Sequence, residues 1–133
     1  MTIEDEVLEV AAALVDAFGS HDVERYFASF APEATFVFHT TPRWLGTRAE
    51  YEQEWRSWEK EGFRVLSCES SDQSVQVLTE NVAVFTHSVR TRLWGGNEIQ
   101  RERETIVFRR VLDAGWLAVH EHLSPDPTPE DAA

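Results

Sequence analysis

The sequence predicts an α+β fold, because helical periodicity fills its first half and extended periodicity fills most of the rest. Two capping boxes open helices at Thr2 and Thr47, each with an acidic residue three positions later. After Gly62 the apolar period changes from that of a helix to that of a strand, and turn signals separate the strands that follow. A meander of antiparallel strands with helices on one side is typical of this class.

Three helices are predicted from apolar stripes at helical spacing. The first spans residues 3–18. The second spans residues 22–30 and is expected to end at Pro32, because proline cannot continue a helix. The third runs from its capping box at residue 47 to about residue 61. Its apolar stripe consists of Tyr51, Trp55 and Trp58.

The strands are predicted from alternating apolar and polar residues between turn signals. A first, short strand is expected at residues 35–40, with Phe36 and Phe38 on one face. The long strands are expected at residues 63–77, 82–93, 99–112 and 116–124. Residues 1–125 then form a single domain, and residues 126–133 form a flexible acidic C-terminal tail with two prolines.

Composition limits the classes of function that fit this chain. With 133 residues and 42% hydrophobic residues, it is long enough for one domain with a sizeable core. A net charge of -12 argues against nucleic-acid and anionic-membrane partners, since both require a basic surface. Cys68 is the one cysteine, which fits a reducing compartment. We therefore expect a cytoplasmic protein with neither a nucleic-acid nor a membrane partner, and no signal peptide or membrane span is predicted.

The last predicted strand carries two histidines and a glutamate within an apolar segment. Side chains alternate between the two faces of a strand. One face then holds Trp116, Ala118, His120, His122 and Ser124, and the other holds Leu117, Val119, Glu121 and Leu123. Both faces contain an ionisable group, so one such group is buried whichever face points inward. Burial of an ionisable group is unfavourable unless the group is paired, bound to metal or in contact with a wet cavity. The strand therefore predicts a polar pocket.

The order of elements and the end of the chain resemble the SnoaL-like or nuclear-transport-factor-2-like superfamily. The segments Glu104–Arg110 and Trp116–Ser124, joined by a turn, look like the closing hairpin of its SnoaL-like branch. The resemblance covers nearly the whole chain, from about Glu4 to Pro125. It implies a curved, mixed, mostly antiparallel sheet wrapped around three helices. Such a cone, a cystatin-like α+β barrel, holds one pocket.

The resemblance also carries expectations about ligands and partners. Superfamily members include isomerases, cyclases, dehydratases, hydrolases, oligomerisation hubs and transport adaptors, so the fold leaves the activity open. Members generally work without metal, and we expect neither a metal nor a cofactor here. A homodimer formed through the sheet is also expected. The face that would pair with a second copy is rich in polar residues, namely Arg90, Arg92, Arg101, Arg103 and Thr105.

Glu121 is the main candidate for acid–base chemistry. Its predicted face is otherwise apolar, and burial raises the pKa of a carboxyl group toward neutrality. His87 is the strongly polar member of an apolar alternation on residues 82–93 and forms a second candidate. His39 is a third, at the mouth of the cone if its strand twists there. The alternative is that Glu121 pairs with an arginine of the neighbouring strand and only holds the sheet together.

Candidate ligand-contacting residues come mainly from the aromatic side chains. The third helix forms a pocket wall in the resembled cones, which points to Trp55 and Trp58, while Trp44 lies in a loop that could cover the opening. The complete set is Tyr26, Phe30, Phe38, Trp44, Trp55, Trp58, Glu104, Ile106 and His120. The alternative is that most of these aromatic residues belong to the core, as aromatic stripes usually do.

Three functions remain open at this point. The first is a pocket for a small apolar or carbonyl-bearing ligand, with proton transfer of the isomerase, cyclase or dehydratase type and no cofactor. The second is a non-catalytic homodimerisation or ligand-sensing module. The third is a metal site at His120 and His122, completed by a ligand such as His39, His87 or Glu104.

Overall fold

The computed structural model describes residues 1–128. Its elements in chain order are α1 (Ile3–Gly19), α2 (Val23–Ala28), β1 (Phe30–Phe38), α3 (Arg48–Lys60), β2 (Val65–Thr79), β3 (Val82–Leu93), β4 (Gln100–Val111) and β5 (Gly115–Pro125). The predicted α+β class is confirmed. Residues 129–133 of the predicted tail lie outside the described residues, so the division of the chain at residue 125 stays a prediction.

Both predicted capping boxes are present. At the start of α1, the amide of Asp5 donates to Thr2 Oγ1 over 3.1 Å, and the amide of Thr2 donates back to Asp5 Oδ2 over 3.1 Å. At the start of α3, Thr47 and Glu50 form the same reciprocal pair. Each box satisfies amide groups that a helix leaves without partners at its first turn. Local chemistry therefore sets where these two helices begin.

The predicted end of the second helix is wrong. α2 ends at Ala28, where Ser29 caps it, and β1 begins at Phe30, so Pro32 lies inside a strand. The reason is that β1 is an edge strand whose pairing with β5 shifts between Phe30 and Thr35. A proline without an amide hydrogen is tolerated at such an irregular edge position.

The strands form one five-stranded sheet in the order β1-β5-β4-β3-β2. The pairs β2–β3, β3–β4 and β4–β5 are antiparallel, and β1 pairs parallel to β5. The predicted mixed, mostly antiparallel sheet is thus confirmed. The parallel pairing matters for function, because it places β1, which contacts α3, beside the last strand.

The three helices cover one side of the sheet, which we call the inner face. Core residues from this face and from the helices include Val7, Leu14, Tyr26, Phe27, Phe30, Phe36, Tyr51, Trp55, Phe85, Ile106, Phe108 and Ala118. The opposite, outer face carries Val84 and Thr86 of β3 next to Val107 and Thr105 of β4. No helix among the described residues is long and apolar enough to cross a membrane.

A bulge in β5 changes the predicted assignment of its faces. Phe108 pairs with Ala118 whereas the adjacent Val107 pairs with His120, which leaves Val119 as an extra residue. Ala118 and Glu121 are consequently buried on the same inner face, at 0% and 2% exposure. The uninterrupted alternation expected along this strand is therefore wrong, because it does not allow for the bulge.

A candidate acid–base and ligand-binding site

A cavity of about 100 Å³ lies between the inner face of the sheet and the helices. Residues of α1, α2, α3 and all five strands or their ends contribute to its wall. They are Leu14, Val15, Phe18, Tyr26, Phe38, Thr40, Tyr51, Trp55, Trp58, Phe63, Cys68, Val89, Thr91, Leu93, Gln100, Glu102, Glu104, Glu121 and Leu123. Thr40 and Gln100 are exposed to solvent and mark the mouth. The wall is mostly aromatic and aliphatic, with three carboxyl groups.

Glu121 is the most deeply buried of these carboxyl groups. Its side chain comes from β5 just after the bulge, and its Oε2 atom has no hydrogen-bond partner among the described residues. Burial raises the pKa of Glu121 well above its usual range, and the charges of Glu104 and Glu102 add to the rise while the Tyr26 hydroxyl opposes it. A carboxyl group in this environment keeps its proton to a higher pH than an exposed glutamate does, and the protonated form can donate a hydrogen bond.

Two tyrosines lie beside Glu121. Tyr26 from α2 and Tyr51 from α3 place their hydroxyl oxygens 2.9 Å apart, and both side chains are buried. Burial raises the pKa of each phenol well above 10, and the charge of Glu121 raises it further. Both phenols therefore stay protonated and supply hydroxyl groups, not charges, to the cavity.

Glu104 belongs to a hydrogen-bonded row that crosses three strands. His87 Nε2 lies 2.7 Å from Glu104 Oε1, and His87 Nδ1 lies 2.6 Å from Ser70 Oγ. Gln73 Nε2 donates to Ser70 Oγ over 2.9 Å. The His87 side chain is completely buried, whereas Glu104 retains contact with the cavity. This row holds Glu104 Oε1 in place. Glu104 Oε2 has no hydrogen-bond partner among residues 1–128.

Glu102 forms a second histidine–carboxylate pair nearer the mouth. Its Oε2 atom lies 2.6 Å from His39 Nε2, and the His39 side chain is 32% exposed against 8% for Glu102. Burial raises the pKa of Glu102, while the hydrogen bond and charge of His39 oppose the rise. His39 therefore connects a cavity carboxyl group with solvent.

Trp55 contributes the second unpartnered polar atom of the cavity wall. Its Nε1 atom is buried without an acceptor among the described residues, and the side chain is 1% exposed. A buried N–H group without an acceptor costs on the order of 1–3 kcal/mol. Trp55 Nε1 and Glu121 Oε2 are thus two buried polar atoms without a hydrogen-bond partner among the described residues.

The structure brings half of the twelve expected site residues to one cavity. Those in its wall are Tyr26, Phe38, Trp55, Trp58, Glu104 and Glu121. His39 and His87 are absent from the wall, and each instead contacts a carboxylate that is in it. Phe30 and Ile106 are fully buried core residues outside the wall. The alternative in which Glu121 pairs with an arginine does not occur, since Glu121 Oε2 has no partner.

Two expected pocket residues need correction. His120 lies on the outer face, where its Nδ1 atom is 2.8 Å from Thr35 Oγ1, because the bulge at Val119 turns it away from the cavity. Trp44 is 77% exposed and lies outside the cavity wall, because its neighbour Leu45 pairs with Phe36 and keeps this part of the loop beside β1.

The expected third ligand for a metal at His120 and His122 is also not in place. His39 contacts Glu102, and His87 and Glu104 contact each other on the inner face. Within residues 1–128, no group of three or more histidine, cysteine or carboxylate side chains is arranged to hold a metal ion.

Sequence reasoning missed two wall residues that matter most here. Glu102 lies on the face of β4 that also carries Glu104. Tyr51 lies one helical turn before Trp55 and belongs to the apolar stripe predicted for the wall-forming helix. The signal in both cases was a shared face with a residue already selected.

The fold and the cavity define an α+β protein whose curved sheet and helices enclose a small acidic and aromatic pocket. The chain belongs to the SnoaL-like domain family, whose match covers residues 7–128. No curated protein gives a significant match to the chain.

Solved structures with the same fold agree with this family. A nuclear-transport-factor-2-like protein of unknown function in nutrient uptake from Rhodospirillum rubrum has a TM-score of 0.77 at 22% identity, over 90% of this chain and 98% of that one. A candidate ketosteroid isomerase from Parabacteroides distasonis has a TM-score of 0.74 at 16% identity, over 95% and 89%. A protein of unknown function with a cystatin-like fold from Nostoc punctiforme has a TM-score of 0.71 at 18% identity, over 94% and 92%. At these identities the likeness concerns the fold.

Proposed function

We propose that this protein binds a small, mainly apolar carbonyl compound and catalyses proton transfer next to the carbonyl group, without a cofactor. The reaction would be of the isomerase, cyclase or dehydratase type. The observation that carries the proposal is the buried Glu121 carboxyl group, whose free Oε2 atom lies in an apolar cavity beside a pair of tyrosine hydroxyls. Membership in the SnoaL-like family supports a pocket of this kind.

Glu121 is the proposed acid. Because burial raises its pKa, the group is protonated near neutral pH and can donate a hydrogen bond to a carbonyl oxygen. Trp55 Nε1 provides a second free donor in the same wall. Donors that are already oriented stabilise the negative charge that develops on the oxygen when a neighbouring C–H bond breaks. Such stabilisation is commonly the largest contribution to catalysis of this type.

Glu104 is the proposed base. It and Glu121 occupy diagonal positions on β4 and β5, because Glu104 pairs with Leu123 and Glu121 pairs with Ile106. Diagonal side chains are separated by roughly 7–8 Å at the backbone, which leaves room for a carbonyl group and its neighbouring carbon between them. His87 holds Oε1 of Glu104, so the other oxygen is free to accept the proton. His87 is thus a positioning residue in this proposal.

His39 has a separate proposed role at the mouth. Through its hydrogen bond to Glu102, it can exchange protons between solvent and a carboxyl group of the cavity wall. A proton accepted by Glu104 must return to solvent between turnovers, and Glu102 lies on the same strand and face as Glu104. Replacement of His39 would then slow the return of the proton without removing the acid or the base.

Deuterium exchange tests the proposal without knowledge of the natural substrate. The protein is incubated in deuterated water with the cyclic ketone dimethylcyclohexanone, and loss of the C–H signals next to the carbonyl is followed by proton NMR. We expect exchange faster than in buffer, a drop of about 10²–10⁴-fold in Glu104→Gln, and a drop of about 10²–10³-fold in Glu121→Leu. The exposed Glu9 of α1 provides the control variant Glu9→Gln, which keeps the wild-type rate.

Two results of the exchange experiment would contradict the proposal. If exchange with every ketone offered equals the rate in buffer, the catalytic proposal is wrong and a non-catalytic ligand-binding module remains. If Glu104→Gln exchanges as fast as the wild type, Glu104 is not the base.

A homodimer formed through the outer face of the sheet is also proposed. The centre of this face carries the cross-strand pairs Val84–Val107 and Thr86–Thr105, which are partly exposed and less polar than the arginines around them. Apolar patches rimmed by polar residues are typical of interfaces between subunits. Light scattering after size-exclusion chromatography would give twice the chain mass for the wild type and the single mass for Val107→Glu. The control Leu112→Glu, at an 89% exposed turn position, should remain dimeric.

The proposed compartment is the cytoplasm. Cys68 is a free thiol in the cavity wall, and free cysteines persist in reducing compartments. Detection of the tagged protein in the soluble cytoplasmic fraction would support this location, and its recovery from the periplasm or the medium would contradict it.

A further inference from the structure

We propose that the cavity selects a ligand that carries a positively charged amino group in addition to its carbonyl group. This inference rests on the proposed function and narrows its substrate class. The cationic group would lie between Glu102 and Glu104, toward the mouth, and the carbonyl oxygen would lie at Glu121, in the interior.

The charged residues of the cavity wall favour a cationic ligand. Three of the wall residues are carboxylic acids and none is a lysine or an arginine. His39 contacts one oxygen of Glu102 and His87 contacts one oxygen of Glu104, and both histidines lie outside the wall. Opposite charges attract several times more strongly in a protein cavity than in water, and like charges repel correspondingly. The wall therefore favours a cationic ligand over an anionic one.

Unpartnered polar atoms give a second, independent reason to expect a ligand here. Glu121 Oε2 and Trp55 Nε1 are both buried without a partner, on side chains that are 2% and 1% exposed. Buried polar atoms are almost always hydrogen-bonded, and exceptions call for a specific explanation. The Glu121 carboxyl group belongs to the cavity wall, so a ligand that presents a polar oxygen to it, after a small adjustment of the side chain, would supply the missing hydrogen bond.

Aromatic faces supply the rest of a binding site for a cation. The rings in the wall are those of Phe18, Tyr26, Phe38, Tyr51, Trp55, Trp58 and Phe63. The faces of such rings attract ammonium groups, tryptophan most strongly, and the attraction is largest where water is excluded. A carboxylate together with aromatic faces is a suitable environment for a substituted ammonium ion, because the ion keeps its charge while its alkyl groups contact the rings.

The size of the cavity limits the ligand to about one ring. Its volume is about 100 Å³, and an apolar protein cavity of roughly 150 Å³ accommodates benzene. The open mouth allows substituents to extend toward Thr40 and Gln100. The cavity is smaller than one that accommodates benzene, so part of the ring of a monocyclic amino ketone would extend into the open mouth, while its charge and hydrogen-bonding groups match the wall.

The protonation of the empty cavity is consistent with this ligand. Burial raises the pKa of both Glu102 and Glu121, so the cavity without a ligand reduces its negative charge by retaining protons. The titratable groups that face it are Glu102, Glu104 and Glu121 of the sheet, Tyr26 of α2, Tyr51 of α3 and Cys68 of β2, with His39 and His87 behind the carboxylates. A bound cation would take the place of a proton at Glu102.

Three cyclic ketones that differ in charge provide the test. Dimethyl-oxopiperidinium is permanently cationic, dimethylcyclohexanone is its neutral isostere, and oxocyclohexanecarboxylate is anionic. Dissociation constants are measured from tryptophan fluorescence, because Trp55 and Trp58 line the cavity. We expect the cationic ketone to bind about tenfold tighter than the neutral one, the size of one favourable cation–aromatic or ion-pair contact. The anionic ketone should bind more weakly than both.

Charge variants separate the cavity from the net charge of the protein. Glu102→Gln should reduce the preference for the cationic ketone to about twofold or less, because the cation loses its nearest counter-charge. The control Glu9→Gln changes the net charge equally, at an exposed position of α1, and should keep the full preference. A preference that falls equally in both variants would assign it to the overall charge of -12 and overturn the inference.

The outcomes also separate this inference from the proposed function. If the neutral ketone binds as tightly as the cationic one, the inference is wrong, while deuterium exchange on the neutral ketone would still uphold the proton-transfer proposal. If none of the three ketones binds, the inference is wrong, and exchange measurements alone then decide the proposed function.

Discussion

The hydroxyl oxygens of Tyr26 and Tyr51 lie 2.9 Å apart in the wall of the cavity, although the two residues belong to different helices. Both rings are buried, at 2% and 3% exposure, so each hydroxyl is the main polar partner available to the other. The pair fixes α2 against α3 at the point where both helices face Glu121. The contact therefore links the stability of the helical layer to the geometry of the site.

Removal of both hydroxyls of this pair should cost less than the sum of the two single removals. In Tyr51→Phe, the hydroxyl of Tyr26 loses one of its two partners, and a buried polar group that is left unsatisfied costs about 1–3 kcal/mol. In the double variant, both sites are apolar and the remaining cost should be well below the sum of the single costs. Urea unfolding of the wild type, both single variants and the double variant measures this coupling.

The single variants should not be equal. Tyr26 also lies close enough to Glu121 to oppose the rise of its pKa, so Tyr26→Phe removes two interactions and should cost more than Tyr51→Phe. Strictly additive free energies of unfolding would show that the two hydroxyls do not interact in solution.

Glu121 should make the stability of the protein fall as the pH rises. Its pKa is raised in the folded state, so the folded protein binds more protons than the unfolded chain at pH values between the two pKa values. The penalty is absent below the unfolded pKa of about 4.5 and grows as the pH rises toward the folded value. Glu121→Gln has no charge to bury, so its free energy of unfolding relative to the wild type should increase from about pH 5 to about pH 8.

Glu33 supplies a control of opposite sign. Its carboxylate accepts a hydrogen bond from the Arg109 side chain, which lowers the pKa of Glu33. A lowered pKa contributes stability above the unfolded pKa, and this contribution is lost as the pH falls. Glu33→Gln should therefore lose a little stability near neutral pH and none in acid. If Glu121→Gln showed the same trend as Glu33→Gln, Glu121 would be ionised in the folded protein.

The neutral form of His87 should carry its proton on Nε2. Gln73 donates to Ser70 Oγ, which leaves the hydrogen of Ser70 free to donate to His87 Nδ1, and Nε2–H then donates to Glu104. Long-range nitrogen–proton NMR correlations distinguish the two tautomers. Ser70→Ala removes the donor to Nδ1 and should increase the population of the other tautomer.

His21 provides an internal reference for this assignment. The backbone amide of Val65 donates to His21 Nδ1 over 3.0 Å, which places the proton of the neutral ring on Nε2, where it faces Glu59. The neutral rings of His21 and His87 should therefore give the same pattern of correlations. A proton on Nδ1 of His87 would mean that Ser70 accepts and that Glu104 accepts its hydrogen bond from another group.

Local signals explain why much of the fold could be predicted from the sequence. The capping boxes at Thr2 and Thr47 and the turns between the long strands depend on residues within a few positions of each other. The end of α2 could not be predicted in this way. Pro32 indicated a helix stop, yet it lies in a strand whose partner, β5, is about two thirds of the chain away. Pairing between strands that are far apart in the sequence produces no signal in the residues around Pro32.

The candidate site, like the fold, could be predicted from the sequence only in part. Glu121 was predicted to face the pocket. That prediction assumed an uninterrupted alternation of side chains along the strand, and the bulge at Val119 interrupts it. The pair of His39 with Glu102 joins residues 63 positions apart and depends on the curvature that brings the end of β1 over β4. Alternation within one strand predicts which residues share a face. It does not predict which strands adjoin or where a bulge changes the phase.

Cys68 should react slowly with thiol reagents in the folded protein. Burial raises the pKa of Cys68 to about 12, from a usual value of 9.0, and the hydroxyl of Thr91 only partly offsets this by donating to its sulfur. Only the thiolate is nucleophilic. A rise of this size lowers the thiolate fraction near pH 8 by roughly a thousandfold. Alkylation by iodoacetamide should accordingly be slower by about that factor than in the urea-unfolded protein.

The alkylation rate of Cys68 should also report ligand binding. Cys68 and Thr91 both line the cavity, so an occupant that fills it should slow alkylation further, in proportion to the occupied fraction. The cationic ketone should protect Cys68 at lower concentrations than the neutral ketone, because Glu102 and Glu104 lie in the same wall. Glu102→Gln should reduce this difference, whereas Glu9→Gln should not. Alkylation as fast in the folded as in the unfolded protein would show that the cavity opens freely to solvent at β2.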